Sequence, residues 1–210
     1  MKIVKKVNGN LGELILSSKG FESSSGTKIL SKALKRCQAI KKNNKIMLFS
    51  YPDYNTEKQY IDACLKIGFR KENIYVYEKD TSPSLIVEMD YIYITAGNTF
   101  EILDWLKGRS ENFNAIKQAV LKGTNYIGVS AGAMIAGTDI ELAYEFDKNF
   151  VTLKDLSGLG LYEGTIIPHY GKREFNRLKK SLGKKIDMYK NMFSISDKDC
   201  IVMEAERPFK

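Results

Sequence analysis

The chain has 210 residues, 43% hydrophobic and 28% charged, a balance that excludes a disordered or fibrous polymer and suits one folded unit over 1–210. Its net charge of +8 permits attraction of an acidic ligand. The lysines are nevertheless scattered over predicted helix faces, with no zinc-finger, RNP-type or glycine-rich phosphate motif, so no nucleic-acid partner is expected.

The opening "MKIVKKVNGNLGELIL" lacks the apolar core of a signal peptide, and no later run reaches the length of a membrane span. The reading is a cytoplasmic chain with no membrane association. "GELILSS" (12–18) and "KIMLFSY" (45–51) are short apolar runs of strand length. Between them Ile29, Leu30, Ala33, Leu34 and Cys37 recur at the spacing of one helix face. A second helix over 57–69 presents Tyr60, Ile61, Cys64 and Leu65, and leads to strand-like "NIYVYE" (73–78) and then "DYIYIT" (90–95). A helix from Thr99, another capped by Ser110 and stopped by Gly123, and the strand "NYIGV" (125–129) follow. Beyond these come a strand at 163–167, a basic helix "KREFNRLKKSLGKK", and "MFSIS" and "CIVME" as a closing strand pair. This alternation predicts an α/β fold with a mainly parallel sheet covered on both faces, whose ligands bind beyond the carboxyl ends of the strands. Cys37, Cys64 and Cys200 share no metal-ligand spacing and read as buried small hydrophobes.

"GVSAG" (128–132) places a serine between glycines where a strand passes into a helix, the pattern of a nucleophile elbow. Small neighbours let the backbone pass closely, and the turn lifts the Ser130 hydroxyl above the sheet beside the amides of the next helix. The Ala131 amide is then an oxyanion donor. The same serine could instead serve as a plain helix cap. A nucleophilic serine needs a base, and the chain contains one histidine, His169, in "IIPHYG" at a strand end. Carboxylates that could orient it are Asp197 and Asp199 in "SISDKDC", and Asp139, Glu145 and Asp147 after the elbow. "TAGNTF" (95–100) ends a strand in a glycine, so Gly97 is a second candidate oxyanion donor, with Asn98 and Thr99 placed to cap the next helix.

Taken in order, "ITAGNTFEILDWL", "YIGVSAGAMIAG" and "IIPHYGKREFNRL" resemble the peptidase E and cyanophycinase family of serine peptidases over most of the chain. The resemblance implies a flavodoxin-like three-layer α/β/α sandwich related to class I glutamine amidotransferases. It also implies hydrolysis of small peptides, dipeptides with an N-terminal aspartate among them, without metal or organic cofactor; a monomer or homodimer is expected. By motif, Ser130 is the nucleophile, His169 the base, and the Gly97 and Ala131 amides the oxyanion hole. The acid falls in the late turn, Asp197 first and Asp199 as the alternative. Arg173 could pair with a substrate carboxylate and Glu145 with its amino group, and Asn98 lies in the substrate-binding turn. Ala96 replaces the first glycine of the family's G-G-N-T-F turn. Two other readings keep the same pocket: an amidase, esterase or acyltransferase using Ser130, or a degenerate protein that binds without catalysing.

Overall fold

The computed structural model describes residues 2–5, 11–20, 24–37, 40–54, 56–183, 185, 189 and 191–204. Its elements in chain order are β1 (Lys2–Lys5), β2 (Leu14–Ser17), α1 (Ser24–Cys37), β3 (Ile46–Phe49), α2 (Glu57–Ile67), β4 (Ile74–Val76), α3 (Pro83–Val87) and β5 (Tyr91–Ile94). They continue with α4 (Thr99–Lys107), α5 (Ser110–Leu121), β6 (Asn125–Val129), α6 (Ala131–Ile135), β7 (Thr165–Pro168), α7 (Lys172–Leu182), β8 (Met192–Ile195) and β9 (Cys200–Glu204).

Seven strands form one sheet in the order β1-β9-β2-β6-β5-β3-β4. β2, β6, β5, β3 and β4 run parallel, while β9 lies antiparallel to β2 and carries β1 parallel to itself. The period-2 geometry of strands explains why nearly every position in them is apolar: successive residues feed opposite layers. Ile15, Ile46, Leu48, Tyr91, Tyr93, Ile127, Val129 and Val202 meet the buried stripes of α1 and α2. Leu14, Leu16, Met47, Phe49, Ile92, Ile94 and Met203 meet α3, α4, α5 and α6 on the other side. The result is the mainly parallel sheet covered on both faces that the alternating pattern predicts, and it is consistent with the flavodoxin-like three-layer sandwich that the resemblance implies. Among the described residues no helix is long and apolar enough to cross a membrane.

Two expectations are corrected. "MFSIS" and "CIVME" do not pair with each other: β8 joins β7 in a separate two-stranded parallel sheet, whereas β9 enters the main sheet between β1 and β2. Burial accounts for the difference, because Cys200, Ile201, Val202 and Met203 are all at most 2% exposed and need strands on both sides and helices on both faces. Ser110 is also the first residue of α5 and does not cap it; Arg109 holds the cap position without a side-chain bond. Gly123, at φ 118°, directly follows the helix end as anticipated.

Cys64 and Cys200 are free, buried thiols, and burial pushes them up to about 12 and about 11 respectively. The side chain of Cys37 lies outside the described residues.

Candidate active site

β6 delivers Ser130 to the site under steric constraint from both neighbouring glycines. A Cβ on Gly128 would fall 2.6 Å from the Gly132 carbonyl oxygen, and one on Gly132 would fall 2.2 Å from that of Ile94. Neither position admits a side chain, so strand and helix pass at backbone contact. Ser130 itself adopts φ 50° and ψ −108°, a conformation that L residues avoid and that surrounding packing must impose. Its side chain makes no capping bond to α6. Ser130 Oγ instead lies 2.9 Å from His169 Nε2.

His169 follows β7, and Asp197 follows β8. The parallel register pairs Pro168 with Ile195, so the two residues leave neighbouring strand ends in the same direction. His169 Nδ1 lies 2.8 Å from Asp197 Oδ1, and Lys19 Nζ lies 3.1 Å from Asp197 Oδ2. Burial pushes the Asp197 carboxyl up, but hydrogen bonds from His169, Ser18 and Lys19 outweigh it and hold the group below the usual carboxylate range. A hydroxyl, an imidazole and a carboxylate are thus linked in series, an arrangement able to pass a proton from Ser130 toward His169 while Asp197 stays ionised.

Of the other carboxylates weighed from sequence, Asp147 and Asp139 are engaged elsewhere. Asp147 Oδ2 accepts from the Thr99 amide at 2.8 Å and the Thr99 hydroxyl at 2.6 Å, and Asp139 Oδ1 accepts from the Glu141 amide at 3.0 Å. Asp199 lies in the same turn as Asp197, its amide bonded to the Ser196 carbonyl at 3.0 Å, and the histidine contact belongs to Asp197. Glu145 is exposed and acts electrostatically on Tyr170, the residue after His169; burial first, then Glu145 and Glu174, raise that phenol. Arg173 is exposed in the first turn of α7.

β5 ends beside β6 in the turn that carries Gly97, at φ 150°. The Tyr54 ring packs so closely on Gly97 that a Cβ there would fall 2.0 Å from a ring carbon. Tyr54 Oη accepts from the Asn98 amide at 2.7 Å and donates to Glu101 Oε2 at 2.7 Å. Asn98 caps α4, its Oδ1 accepting from the amides of Phe100 and Glu101 while Nδ2 donates to the Lys148 carbonyl. The second Asn98 Nδ2 hydrogen meets no acceptor among the described residues. No hydrogen bond from the Gly97 or Ala131 amide is seen among the described residues. No cluster of three or more His, Cys, Asp or Glu side chains is placed to hold a metal ion among the described residues.

Sequence reasoning missed Ser18, Lys19 and Tyr54. Ser18 carried one legible signal, its place at the end of a buried strand; that β2 lies beside β6 is a matter of topology and is not written in either strand.

The fold is α/β, and it brings a hydroxyl, an imidazole and a carboxylate together at the strand ends. The model of peptidase family S51 matches residues 14–207, and the chain belongs to that family. A peptidase of Listeria innocua, itself uncharacterized, is 28% identical over 156 residues, covering 70% of this chain and 74% of that protein. An uncharacterized peptidase of Listeria monocytogenes is 30% identical over 119 residues, 56% of this chain and 58% of the relative. A peptidase E of Actinobacillus pleuropneumoniae is 29% identical over 121 residues, 58% of this chain and 49% of the relative. In the last two matches the chain spans about half the relative's length. Among solved structures, a peptidase E-type protein of Listeria monocytogenes superposes with a TM-score of 0.66 at 21% identity, covering 91% of this chain and 98% of that one. A peptidase from an acI-B1 Actinobacterium gives 0.62 at 19%, covering 95% and 86%. At these identities the likeness concerns the fold.

Proposed function

We propose that the protein is a serine peptidase acting on small peptides, with Ser130 as nucleophile, His169 as general base and Asp197 as the acid that orients the base. The observation that carries this reading is the 2.9 Å contact between Ser130 Oγ and His169 Nε2, made by a serine that caps nothing. In the proposed reaction Ser130 Oγ attacks the scissile carbonyl carbon as its proton passes to His169 Nε2. The amides of Gly97 and Ala131 receive the oxyanion, an interaction whose loss typically costs about 3 kcal/mol of transition-state stabilisation. The C–N bond then breaks, the amine leaves with the proton from His169, and water repeats the sequence on the acyl-enzyme.

The substrate reading, a dipeptide with an N-terminal aspartate, comes from the family resemblance. It assigns the substrate carboxylate to Arg173, whose planar fork suits a bidentate pair, and the amino group to Glu145. The relatives named peptidase E and the exposure of both side chains beside the His169 loop support it.

Labelling of the native protein with a small fluorophosphonate tests the proposal. Intact mass and peptide mapping are expected to give a single adduct on Ser130, absent from Ser130→Ala and lost or strongly slowed in His169→Ala, with aspartyl dipeptides hydrolysed by the unlabelled protein alone. A Ser130 adduct that forms equally fast without the imidazole, or no adduct at all, overturns the nucleophile assignment.

A further inference from the structure

Ser17 pairs with Val129 in the parallel β2–β6 ladder, and the Ser130 amide donates to the Ser17 carbonyl at 2.9 Å. Ser18 and Ser130 therefore leave neighbouring strands at one level. The Ser18 side chain is fully buried. Its hydroxyl oxygen accepts from the His169 amide at 2.8 Å, and it lies 2.8 Å from Asp197 Oδ1 and 3.0 Å from His169 Nδ1.

Counting hydrogens fixes the direction of every bond. The His169 amide can only donate, so Ser18 Oγ accepts there. Ionised Asp197 can only accept, so the single Ser18 proton goes to Oδ1. Both oxygens within reach of Nδ1 are then acceptors from the imidazole's side, so Nδ1 carries a proton and, in the neutral imidazole, Nε2 faces Ser130 bare. The contact to the His169 amide also helps hold a non-glycine residue at φ 63°. The other carboxylate oxygen, Oδ2, is held by Lys19 Nζ at 3.1 Å, which leaves Oδ1 to Ser18 and His169.

We infer that Ser18 is a positioning residue, the buried post that holds Asp197 Oδ1 against His169 Nδ1 and keeps the bare Nε2 directed at Ser130. Its consequence for turnover rests on the proposed peptidase reaction, whereas its effect on the imidazole does not. Loss of the hydroxyl removes the partner of the His169 amide and one of the two donors to Asp197 Oδ1, so the imidazole loses its anchor while Arg173 and Glu145, the side chains proposed to meet the substrate, are untouched.

The chain's one histidine makes the test direct, because every imidazole resonance belongs to His169. In protein carrying 15N-histidine, the native form is expected to show a protonated Nδ1 with a slowly exchanging downfield proton, and an unprotonated Nε2. Ser18→Ala should broaden or lose that proton and shift both nitrogens toward tautomer averaging. It should also lower kcat about tenfold to hundredfold at nearly constant KM, the consequence of losing one charge-assisted hydrogen bond. Ser18→Thr restores the proton and most of kcat; Ser18→Cys, which keeps the shape with a weak donor, follows Ser18→Ala and replaces it should the alanine variant not fold. An unchanged Nδ1 proton in folded Ser18→Ala or Ser18→Cys protein overturns the inference. Failure of Ser130 to label in the native protein overturns the peptidase reading alone, since the imidazole spectra still decide the role of Ser18.

Discussion

Ser130 and Asp197 answer to different physical constraints, and only the first is written locally. The glycines around Ser130 are required because backbones meet there, with no room for a Cβ at Gly128 or Gly132. Such a requirement leaves a contiguous pattern that a reader of sequence can find. Asp197 acquires its character from groups distant in the chain: His169, Ser18 and Lys19 all donate to it, and nothing in "SISDKDC" separates it from Asp199. Its depressed pKa is also a statement about stability. A carboxyl held lower in the folded than in the unfolded chain contributes stability that is present above the unfolded value of about 4 and is lost as pH falls through the folded value. Asp197 is more than a third exposed, so solvent screens this contribution and it is modest. Thermal melts between pH 7 and pH 3 should therefore show a smaller acid-side fall in Tm for Asp197→Asn than for the native protein. Parallel curves would mean that the carboxylate's partners do not favour its charged form.

At the scale of elements, apolar runs and helix stripes revealed β2 to β6 and most of the helices, because each of those segments is amphipathic or buried on its own account. Partner choice was less legible. β8 and β9 are short apolar strands separated by a tight turn, the pattern of a hairpin, yet β8 finds β7 and β9 finds β1 and β2. The decision is made by long-range burial, which neither strand encodes alone. The same limit concealed the anchoring of α4. Its first turn is held by Asn98 from the preceding residue and by Asp147 from a loop some fifty positions later, the latter taking both the amide and the hydroxyl of Thr99. Thr99 is only 1% exposed, so removing Asp147 strands a buried donor pair at a helix N-terminus. Asp147→Ala is expected to cost about 1 to 3 kcal/mol in urea unfolding, with Asp147→Asn recovering part of it. Equal stability of all three proteins would show that water satisfies Thr99 as well as Asp147 does.

Across the whole molecule, β9 occupies the position through which β1 joins the rest of the described sheet. It separates β1 from β2, is the only strand paired with β1 among the described residues, and begins three residues after Asp197. Val202 stands at its centre, opposite Ile3 on one side and Ile15 on the other, with its side chain fully buried in the layer formed with α1 and α2. The Ser130–His169–Asp197 chain belongs to the strand ends, and the segments that carry His169 and Asp197 pack through Ile166, Ile167 and Ile195 into the opposite layer. Stability and site geometry should consequently separate when the first layer is perturbed, since effects at distant sites without shared partners add independently. Val202→Ala removes two buried methyl groups and leaves a void, which should cost about 2 to 3 kcal/mol in urea unfolding. In buffer without denaturant the fluorophosphonate should still label Ser130 at the native rate, because the variant stays folded and no atom of the site has lost a partner. A labelling rate that fell in step with stability would instead mean that β9 transmits strain to Asp197, and the two layers would have to be treated as one mechanical unit.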